Sequence, residues 1–314
     1  MKVLFCIMLA TLPFLASAQQ NNSAKPLRQQ ISITSDNDAY ISLYTDRYYT
    51  NGIFFNYTWV SKQPRTSKKI QSLQLTQLMY NPYNYTIHNA ENIDRPYAGL
   101  LLLSYSQTHF WGKESLLQMS ATGGISGKPS LAGAFQNWYH RTVGFDPPAG
   151  WEYQVSTEPQ INAGALYATS LFSTEGSIVA VKPVAEVSLG NTFTNAKAGL
   201  LFQLGAFEKN SQSIAWNATV ENAQQSRRHP YELYLYFYPQ IIAQVYDATI
   251  QGALFIKEKG VVSKSQPFVY QQTFGGIYSG RKIFVGFSVI YQTKQTKTQY
   301  LSHMYGSIRL GCRF

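Results

Sequence analysis

Side chains alternate with a period of two along twelve segments of this sequence, and this pattern restricts the fold more than any other feature. In the last segment, Met304, Ile308 and Phe314 fall on one face, while Arg309 and Arg313 fall on the other. An apolar face opposite a face with arginines is typical of a strand between lipid and a polar lumen. The sequence therefore predicts an all-β fold, an antiparallel transmembrane β-barrel of twelve strands. The predicted strands cover residues 29–36, 49–61, 69–80, 98–111, 114–125, 160–172, 178–190, 197–206, 231–245, 267–278, 281–294 and 300–314.

Composition favours a membrane barrel. Charged residues make up 13% of the 314 residues and aromatic residues 15%, whereas soluble domains usually contain about 25% charged residues. After the N-terminal segment, no apolar run reaches the roughly 18 residues that a membrane-spanning helix needs. Low charge, many aromatic side chains and no hydrophobic helix fit a barrel with aromatic girdles. A large soluble β-sandwich is the alternative that composition leaves open.

The first 18 residues have the pattern of a secretory signal. Lys2 is followed by an apolar stretch at 3–15 and by the small residues of 16–18, which suit a cleavage site. We expect residues 1–18 to be a signal peptide and residues 19–314 to form a single outer-membrane β-barrel domain. Cleavage would leave Cys312 as a lone cysteine, so we expect no disulfide within the chain.

The net charge of +10 is spread over predicted turns and loops. Nucleic-acid binding normally needs a basic stripe or a recognisable reading motif, and the sequence has neither, so we expect no nucleic-acid partner. Scattered loop cations in a secreted membrane protein are better suited to phosphorylated lipid headgroups.

Twelve strands would place both termini on the periplasmic side and the long connections 37–48, 81–97 and 126–159 outside the cell. The connection near 246–266 is also long, and 207–230 would be a long periplasmic turn. The loop 126–159 is predicted to hold a short extracellular helix. Its apolar stripe is formed by Leu131, Phe135, Trp138 and Val143, with Gly144 as the C-terminal stop.

The candidate site residues cluster at the tip of the first strand. Asp36, Asn37 and Asp38 end that strand, Asp46 follows in the loop, and Thr50 begins the second strand. Charges near a membrane are costly and usually mark a functional site. The alternative for Asn37 and Asp38 is an ordinary Asx turn that closes the strand.

The loop helix adds a histidine, because His140 lies on it and Asp146 follows six residues later. Asp and Asn oxygens suit a hard cation such as calcium better than zinc. A neutral imidazole beside such a cation could take a proton from water while the metal polarises an ester. An ordinary interface side chain is the alternative role for His140.

Several motifs in this chain resemble the outer-membrane lipid A 3′-O-deacylases. They are NDAY at 37–40, DRYYTNG at 46–52, DRPYAGLL at 94–101, QNWYHRTVG at 136–144, GWEYQ at 150–154 and the terminal Phe314. The resemblance covers nearly all of the chain after the signal. It implies a calcium-dependent esterase in the outer membrane that removes an acyloxyacyl chain from lipid A in the outer leaflet.

The resemblance also implies roles for individual residues. Asp38, with Asn37, would hold calcium; His140 would activate the attacking water; and Thr50 would orient His140 or the substrate. Asp146 stands where the family has a longer acid after the histidine. The family's lysine in the second outer loop has no counterpart in 81–93, where only His88 is basic.

Two other functions stay open from the sequence. An outer-membrane phospholipase would need a serine nucleophile near His140, and no serine stands out there. A non-catalytic barrel that binds lipid or forms a narrow channel is the second alternative. For each function the partner is the outer membrane, and for the esterase it is lipopolysaccharide; we expect a monomer.

Overall fold

The computed structural model describes residues 25–41, 47–61, 68–84, 89–112, 114–174, 176–221 and 227–314. The predicted signal peptide, Asp46 and His88 lie outside the described residues. The strands are β1 Gln29–Asn37, β2 Tyr48–Val60, β3 Lys68–Asn81, β4 Ala98–Trp111, β5 Ser115–Ser126, β6 Pro159–Ala168, β7 Phe172–Ser173, β8 Val179–Gly190, β9 Phe193–Ala206, β10 Glu232–Asp247, β11 Phe268–Ser279, β12 Ile283–Gln292 and β13 His303–Arg313. The helices are α1 Ala132–Val143 and α2 Ala248–Gln251, with 3-10 turns at Asp38–Tyr40, Ala90–Asn92, Lys128–Ser130, Trp151–Tyr153, Asn210–Gln212 and Ile214–Trp216.

The strands form one antiparallel sheet that closes on itself. β1 pairs with β2 on one side and with β13 on the other, from Gln30 opposite Arg313 to Asn37 opposite Gly306. β6 pairs directly with β8, so the two-residue β7 does not cross the barrel. Twelve strands therefore make up the wall, which confirms the predicted barrel.

The sixth strand is shorter than predicted. It ends at Ala168 instead of residue 172, because the chain turns back there and pairs with β8 within the turn. The amide of Leu171 donates to the carbonyl of Val181 at 3.0 Å. An alternating sequence pattern continues through such a turn, so it does not mark where the strand leaves the wall.

The predicted alternation of faces is confirmed in the wall. Leu235 in β10 is 50% exposed, while its neighbour Tyr234 is 4% exposed. In β12, Val285 is exposed and Phe284 is buried in the lumen. No helix in the described part of the chain is long and apolar enough to cross a bilayer.

We call the end of the barrel at which β1 begins and β13 ends the inner end, and the opposite end, which carries the connections β1–β2, β3–β4, β5–β6, β10–β11 and β12–β13, the outer end. The amide of Phe314 donates to the carbonyl of Gln29 at 2.9 Å, which places the start of β1 beside the last residue of the sequence. The long connections predicted at 37–48, 81–97 and 126–159 thus start and finish at the same end of the barrel; their position outside the cell stays a prediction.

Residues 207–221 fold into the lumen at the inner end, and we call them the inner plug. The prediction of a long periplasmic turn at 207–230 was wrong in this respect. Ile214 is fully buried among lumen side chains that include Phe207, Tyr234 and Phe284. Such apolar residues gain free energy by leaving water, so the segment packs into the barrel instead of extending from it.

Polar contacts from the wall hold the inner plug. The carboxylate of Glu232 accepts hydrogen bonds from the amide of Ile214 at 2.8 Å, the hydroxyl of Ser213 at 2.7 Å and the amide of Glu208 at 3.1 Å. From another strand, Lys68 Nζ donates to the carbonyl of Ala218 at 2.6 Å. The lumen is therefore filled at its inner end.

Candidate functional site

The first strand ends in a polar turn at the outer end. Asn37 is the N-cap of the turn Asp38–Tyr40, and its Oδ1 accepts a hydrogen bond from the amide of Ala39 at 2.7 Å. Asp38 is 1% exposed, and its Oδ2 accepts from the amide of Arg47 at 2.9 Å. The Asx-type contact that the sequence offered as an alternative is thus present at Asn37, and it fixes the position of the carboxylate that follows.

Thr50 is the extra residue of a β-bulge in β2. The pairing with β3 shifts register between Tyr49 and Asn51, so Thr50 has no partner across the strand. Bulges are frequent beside active sites, where they redirect a side chain. Thr50 is 2% exposed, and its hydroxyl oxygen has no hydrogen-bond partner among the residues that the structure describes. The Oδ1 atom of Asn51 is likewise buried and unpartnered.

A single row of paired residues links this turn to the loop helix. Asn37 lies opposite Asn51, Asn51 opposite Met79, and Met79 opposite Gly99, across β1 to β4. A Cβ atom on Gly99 would lie 2.5 Å from the Cβ of Ala132, the first residue of α1. The close approach that glycine permits therefore seats the start of α1 at the level of the polar turn.

The helix prediction is confirmed in its position. α1 ends at Val143, and Gly144 follows in the left-handed conformation with φ 82°. The predicted apolar stripe packs only in part: Phe135 is half-buried against the cluster that contains Trp151, whereas Leu131 and Trp138 are each 60% exposed. The buried face consists of Ala132, Gln136 and His140. Spacing alone shows that an apolar stripe exists, but it does not show which of its side chains are buried.

His140 is 4% exposed on the inner face of α1. Its Nδ1 lies 2.7 Å from the backbone carbonyl oxygen of Asp146, and the ring of Phe145 packs edge-on at 5.9 Å between centroids. A carbonyl oxygen only accepts hydrogen bonds, so Nδ1 carries the proton and the lone pair of the neutral ring is on Nε2. The contact thereby sets the tautomer of the neutral ring, with its basic nitrogen at Nε2.

Asp146 meets His140 through its main chain. Its side chain is exposed, and the recorded contact comes from its carbonyl group. The structure thus assigns to the Asp146 backbone the orienting contact on His140. A role for the carboxylate in catalysis stays a prediction.

The structure brings Asn37, Asp38 and Thr50 to adjacent positions on β1 and β2, and it places His140 above β3 and β4 at the same end of the barrel. The side-chain atoms of Asn37, Asp38 and Thr50 that could bind a metal ion are oxygens. Hard cations such as calcium prefer carboxylate, amide and hydroxyl oxygens, and an unpartnered buried oxygen on Thr50 fits a missing ligand. The residues present therefore fit calcium.

Sequence reasoning missed the contacts that hold the outer loops together. Asp94 accepts hydrogen bonds from the hydroxyl of Tyr48 at 2.8 Å and from the amides of Tyr83 and Tyr300. Arg95 does not mainly serve Asp94; it donates to Thr249 and to Gln295, each at 3.1 Å. The partners of both residues come from loops that are distant in sequence.

Arg95 is a buried cation in the connection between β3 and β4. Its side chain is fully buried, with the guanidinium carbon 4.1 Å from the centre of the Tyr80 ring. Burial lowers the pKa of Arg95 below its usual value. The geometry makes this residue part of the loop framework at the outer end.

The comparison with one solved structure supports this architecture. The structure of LpxR from Salmonella typhimurium superposes with a TM-score of 0.75 at 17% identity, covering 91% of this chain and 100% of that chain. The β domain of the Bordetella autotransporter BrkA gives a TM-score of 0.47 at 10% identity, covering 92% of this chain and 99% of that one. No curated protein matches the sequence. The family model described as outer membrane protein LpxR matches residues 3–314, and the chain therefore belongs to the LpxR family of outer-membrane proteins.

Proposed function

We propose that this protein is a calcium-dependent esterase that hydrolyses an acyloxyacyl chain from lipid A in the outer leaflet. The observation that carries the proposal is the buried His140, whose Nδ1 is held by a carbonyl oxygen so that Nε2 is the basic nitrogen. Family membership supports the same substrate class. The polar turn at the end of β1 supplies the oxygen donors that such chemistry needs.

Asp38 and Asn37 would hold the calcium ion, with the Thr50 hydroxyl as a further oxygen at the same rim. When bound, the cation would polarise the ester carbonyl and stabilise the negative charge that develops on its oxygen. Burial of Asp38 at 1% exposure favours cation binding, because a buried carboxylate gains most from a positive partner.

The proton transfers belong to His140. In the proposed reaction Nε2 takes a proton from water while the water oxygen attacks the ester carbonyl carbon. When the carbon–oxygen bond to the sugar breaks, the imidazolium returns the proton to the leaving oxygen. The products are a free fatty acid and a sugar hydroxyl, and the histidine ends neutral. The Asp146 carbonyl keeps the ring in one tautomer throughout.

The test is acyl release by purified protein from lipopolysaccharide of its own host, measured by mass spectrometry of lipid A. We expect the loss of one acyloxyacyl unit with calcium, and no loss after chelation with EGTA or in His140→Ala. His109→Gln is the control histidine, because His109 lies near the inner end of β4, where its Nε2 contacts the Gln107 side chain at 3.0 Å. An unchanged acyl pattern with wild-type protein and calcium would remove the proposal.

The same samples separate the alternatives. A serine-directed inhibitor that abolishes activity while EGTA leaves it intact would favour the phospholipase. Stepwise conductance of the wild-type protein in planar bilayers would favour a channel, which the filled inner end of the lumen argues against. Sedimentation in detergent would test the expected monomer.

A further inference from the structure

A groove of about 760 Å³ lies at the outer end between α1 and the loop at 252–260. Its walls include Leu131 and Asn137 from the α1 side, Gln154 from the following segment, and Ile256 from the loop. This groove is distinct from the polar turn at Asn37 and Asp38, none of whose residues line it. We call it the rim groove.

The walls of the rim groove are fixed in place. Glu258 Oε1 accepts hydrogen bonds from the amide and hydroxyl of Ser156, at 2.9 and 2.7 Å, and from the amide of Gly260 at 2.6 Å. On the same loop, the amides of Leu254 and Phe255 donate to Glu158 at 3.1 and 2.6 Å. Two carboxylates thus bind the loop to the chain segment after α1, so the groove exists before any ligand arrives.

The floor of the groove depends on close packing. A Cβ on Gly133 would lie 2.8 Å from the ring of Trp151, so glycine at this position lets α1 rest on the indole. The Trp151 Nε1 donates to Gln136 at 2.9 Å. Trp151 is 8% exposed, so the indole acts as a buried support that fixes α1 against the following chain segment.

Two buried amide oxygens at the groove lack partners. They are Oδ1 of Asn137 and Oε1 of Gln154. The Nε2 atom of Gln154 donates to the carbonyl of Trp151 at 2.8 Å. A carbonyl accepts only from the nitrogen, so the orientation of this amide is fixed and its oxygen is left as an acceptor. Buried polar atoms are nearly always paired, and hydroxyl groups of a ligand would supply the missing donors.

The charge of the groove is positive. Lys128, Lys257 and Lys259 line it together with a single acid, Glu152. None of the three lysines has an ion-pair partner within the part of the chain that the structure describes. Three cations against one carboxylate favour an anionic ligand.

Apolar side chains lie beside the groove. Leu131 is 60% exposed, and at the tip of the loop Phe255 is 77% exposed. Large exposed apolar residues next to a polar groove mark a surface for an amphiphile. The ligand class that satisfies all these features has anionic groups, sugar hydroxyls and acyl chains.

We propose that the rim groove binds the phosphorylated saccharide headgroup of an outer-leaflet glycolipid. The lysines would pair with phosphate, the amide oxygens of Asn137 and Gln154 would accept from hydroxyls, and Phe255 would lie among the acyl chains. This inference rests on the proposed function for the identity of the glycolipid, but the groove itself holds no part of the hydrolytic machinery.

The test is a binding titration with full-length His140→Ala protein in detergent, so that hydrolysis does not interfere. The probe is the acyl-free glucosamine disaccharide bisphosphate, and Trp151 fluorescence or calorimetry reports binding. We expect Lys257→Gln with Lys259→Gln to weaken binding about tenfold, in line with two moderately exposed ion pairs. Asn137→Asp should weaken it as well, because a carboxylate would repel phosphate. Lys297→Gln, at the outer end but outside the groove, is the matched control.

Two further probes decide the ligand class. A neutral glucosamine-type disaccharide that binds as tightly as the bisphosphate would overturn the role of the lysines. Inorganic phosphate with the affinity of the disaccharide would overturn the role of the sugar. Equal binding by the double lysine variant and the wild type would remove the site. Disaccharide binding without acyl release by the wild-type protein would support the rim groove as a binding site and contradict the proposed function. Acyl release without disaccharide binding would contradict the binding site alone.

Discussion

The inner plug depends on one buried carboxylate, and Glu232→Gln tests this directly. Glu232 is 1% exposed and accepts three hydrogen bonds from the plug. Glutamine keeps the shape but replaces one oxygen with NH₂. In its more favourable orientation the glutamine oxygen still accepts hydrogen bonds from the Glu208 amide and the Ser213 hydroxyl. The NH₂ group then faces the amide of Ile214, and because both groups are donors, no hydrogen bond forms between them.

The magnitude follows from these contacts. An unsatisfied buried N–H costs about 1–3 kcal/mol, and the two remaining bonds lose the extra strength of a charged acceptor. Removal of a buried charge offsets part of this cost. We therefore expect the free energy of plug opening to fall by about 2 kcal/mol, which corresponds to about 30-fold faster hydrogen exchange at the Ile214 amide.

Native-state hydrogen exchange of the refolded barrel measures this directly. Glu186→Gln is the matched control, because Glu186 pairs with Lys197 at 2.9 Å and its side chain is 32% exposed. Such a partly exposed pair contributes about 0.2–1 kcal/mol, so exchange in the plug should not change. Equal exchange rates at Ile214 in Glu232→Gln and in the wild type would refute the view that this carboxylate anchors the plug.

Three other changes probe the outer end. Thr50→Val removes a hydroxyl that has no partner among the described residues, so we expect the free energy of unfolding to stay the same or rise by up to about 1 kcal/mol. Calcium-dependent acyl release should fall strongly. Lower stability with full activity would contradict a role for Thr50 in the candidate site. Gly99→Ala places a Cβ 2.5 Å from that of Ala132 and should cost about 1–3 kcal/mol and lower activity several-fold. Gly123→Ala, with no atom within 4 Å of its Cβ, should leave activity and stability close to wild type in the same unfolding assay. Burial alone would raise the pKa of Glu258, but hydrogen bonds from Ser156, Ala253 and Gly260 bring it below its usual 4.5. The carboxylate therefore stabilises the loop fully above the unfolded pKa, and this stabilisation is lost as pH falls through the folded pKa. Protease cleavage at 252–260 should rise below about pH 4.5 in the wild type, whereas Glu258→Gln should show no such pH step.

The barrel wall was predictable from the sequence because the side chains of each strand alternate between lipid and the lumen, and this alternation is visible within the strand itself. Leu235 and Tyr234 differ in polarity at neighbouring positions, and lipid and lumen require that difference. The end of β6 at Ala168 was missed because alternation continues into a turn that still pairs with β8. Local pattern therefore located the strands better than their ends.

The inner plug was not predictable in the same way. Its apolar residues, such as Ile214, are few and are set among polar ones, and their partners come from strands distant in sequence. The candidate site falls between these cases. Asp38 and His140 were found from residue type and position, whereas the bulge at Thr50 and the Asp146 carbonyl contact depend on backbone geometry, which a sequence pattern does not encode.

A regular strand offers only every second side chain to the inside of a barrel, which limits how many chemical groups a wall can present at one level. The bulge in β2 removes that limit at the outer rim. Tyr48, Tyr49 and Thr50 are successive residues, yet all three are buried, at 1%, 6% and 2% exposure. One inserted residue thus lets three successive side chains be buried where regular alternation buries two at most, so a rigid wall can hold neighbouring groups that would otherwise need a loop.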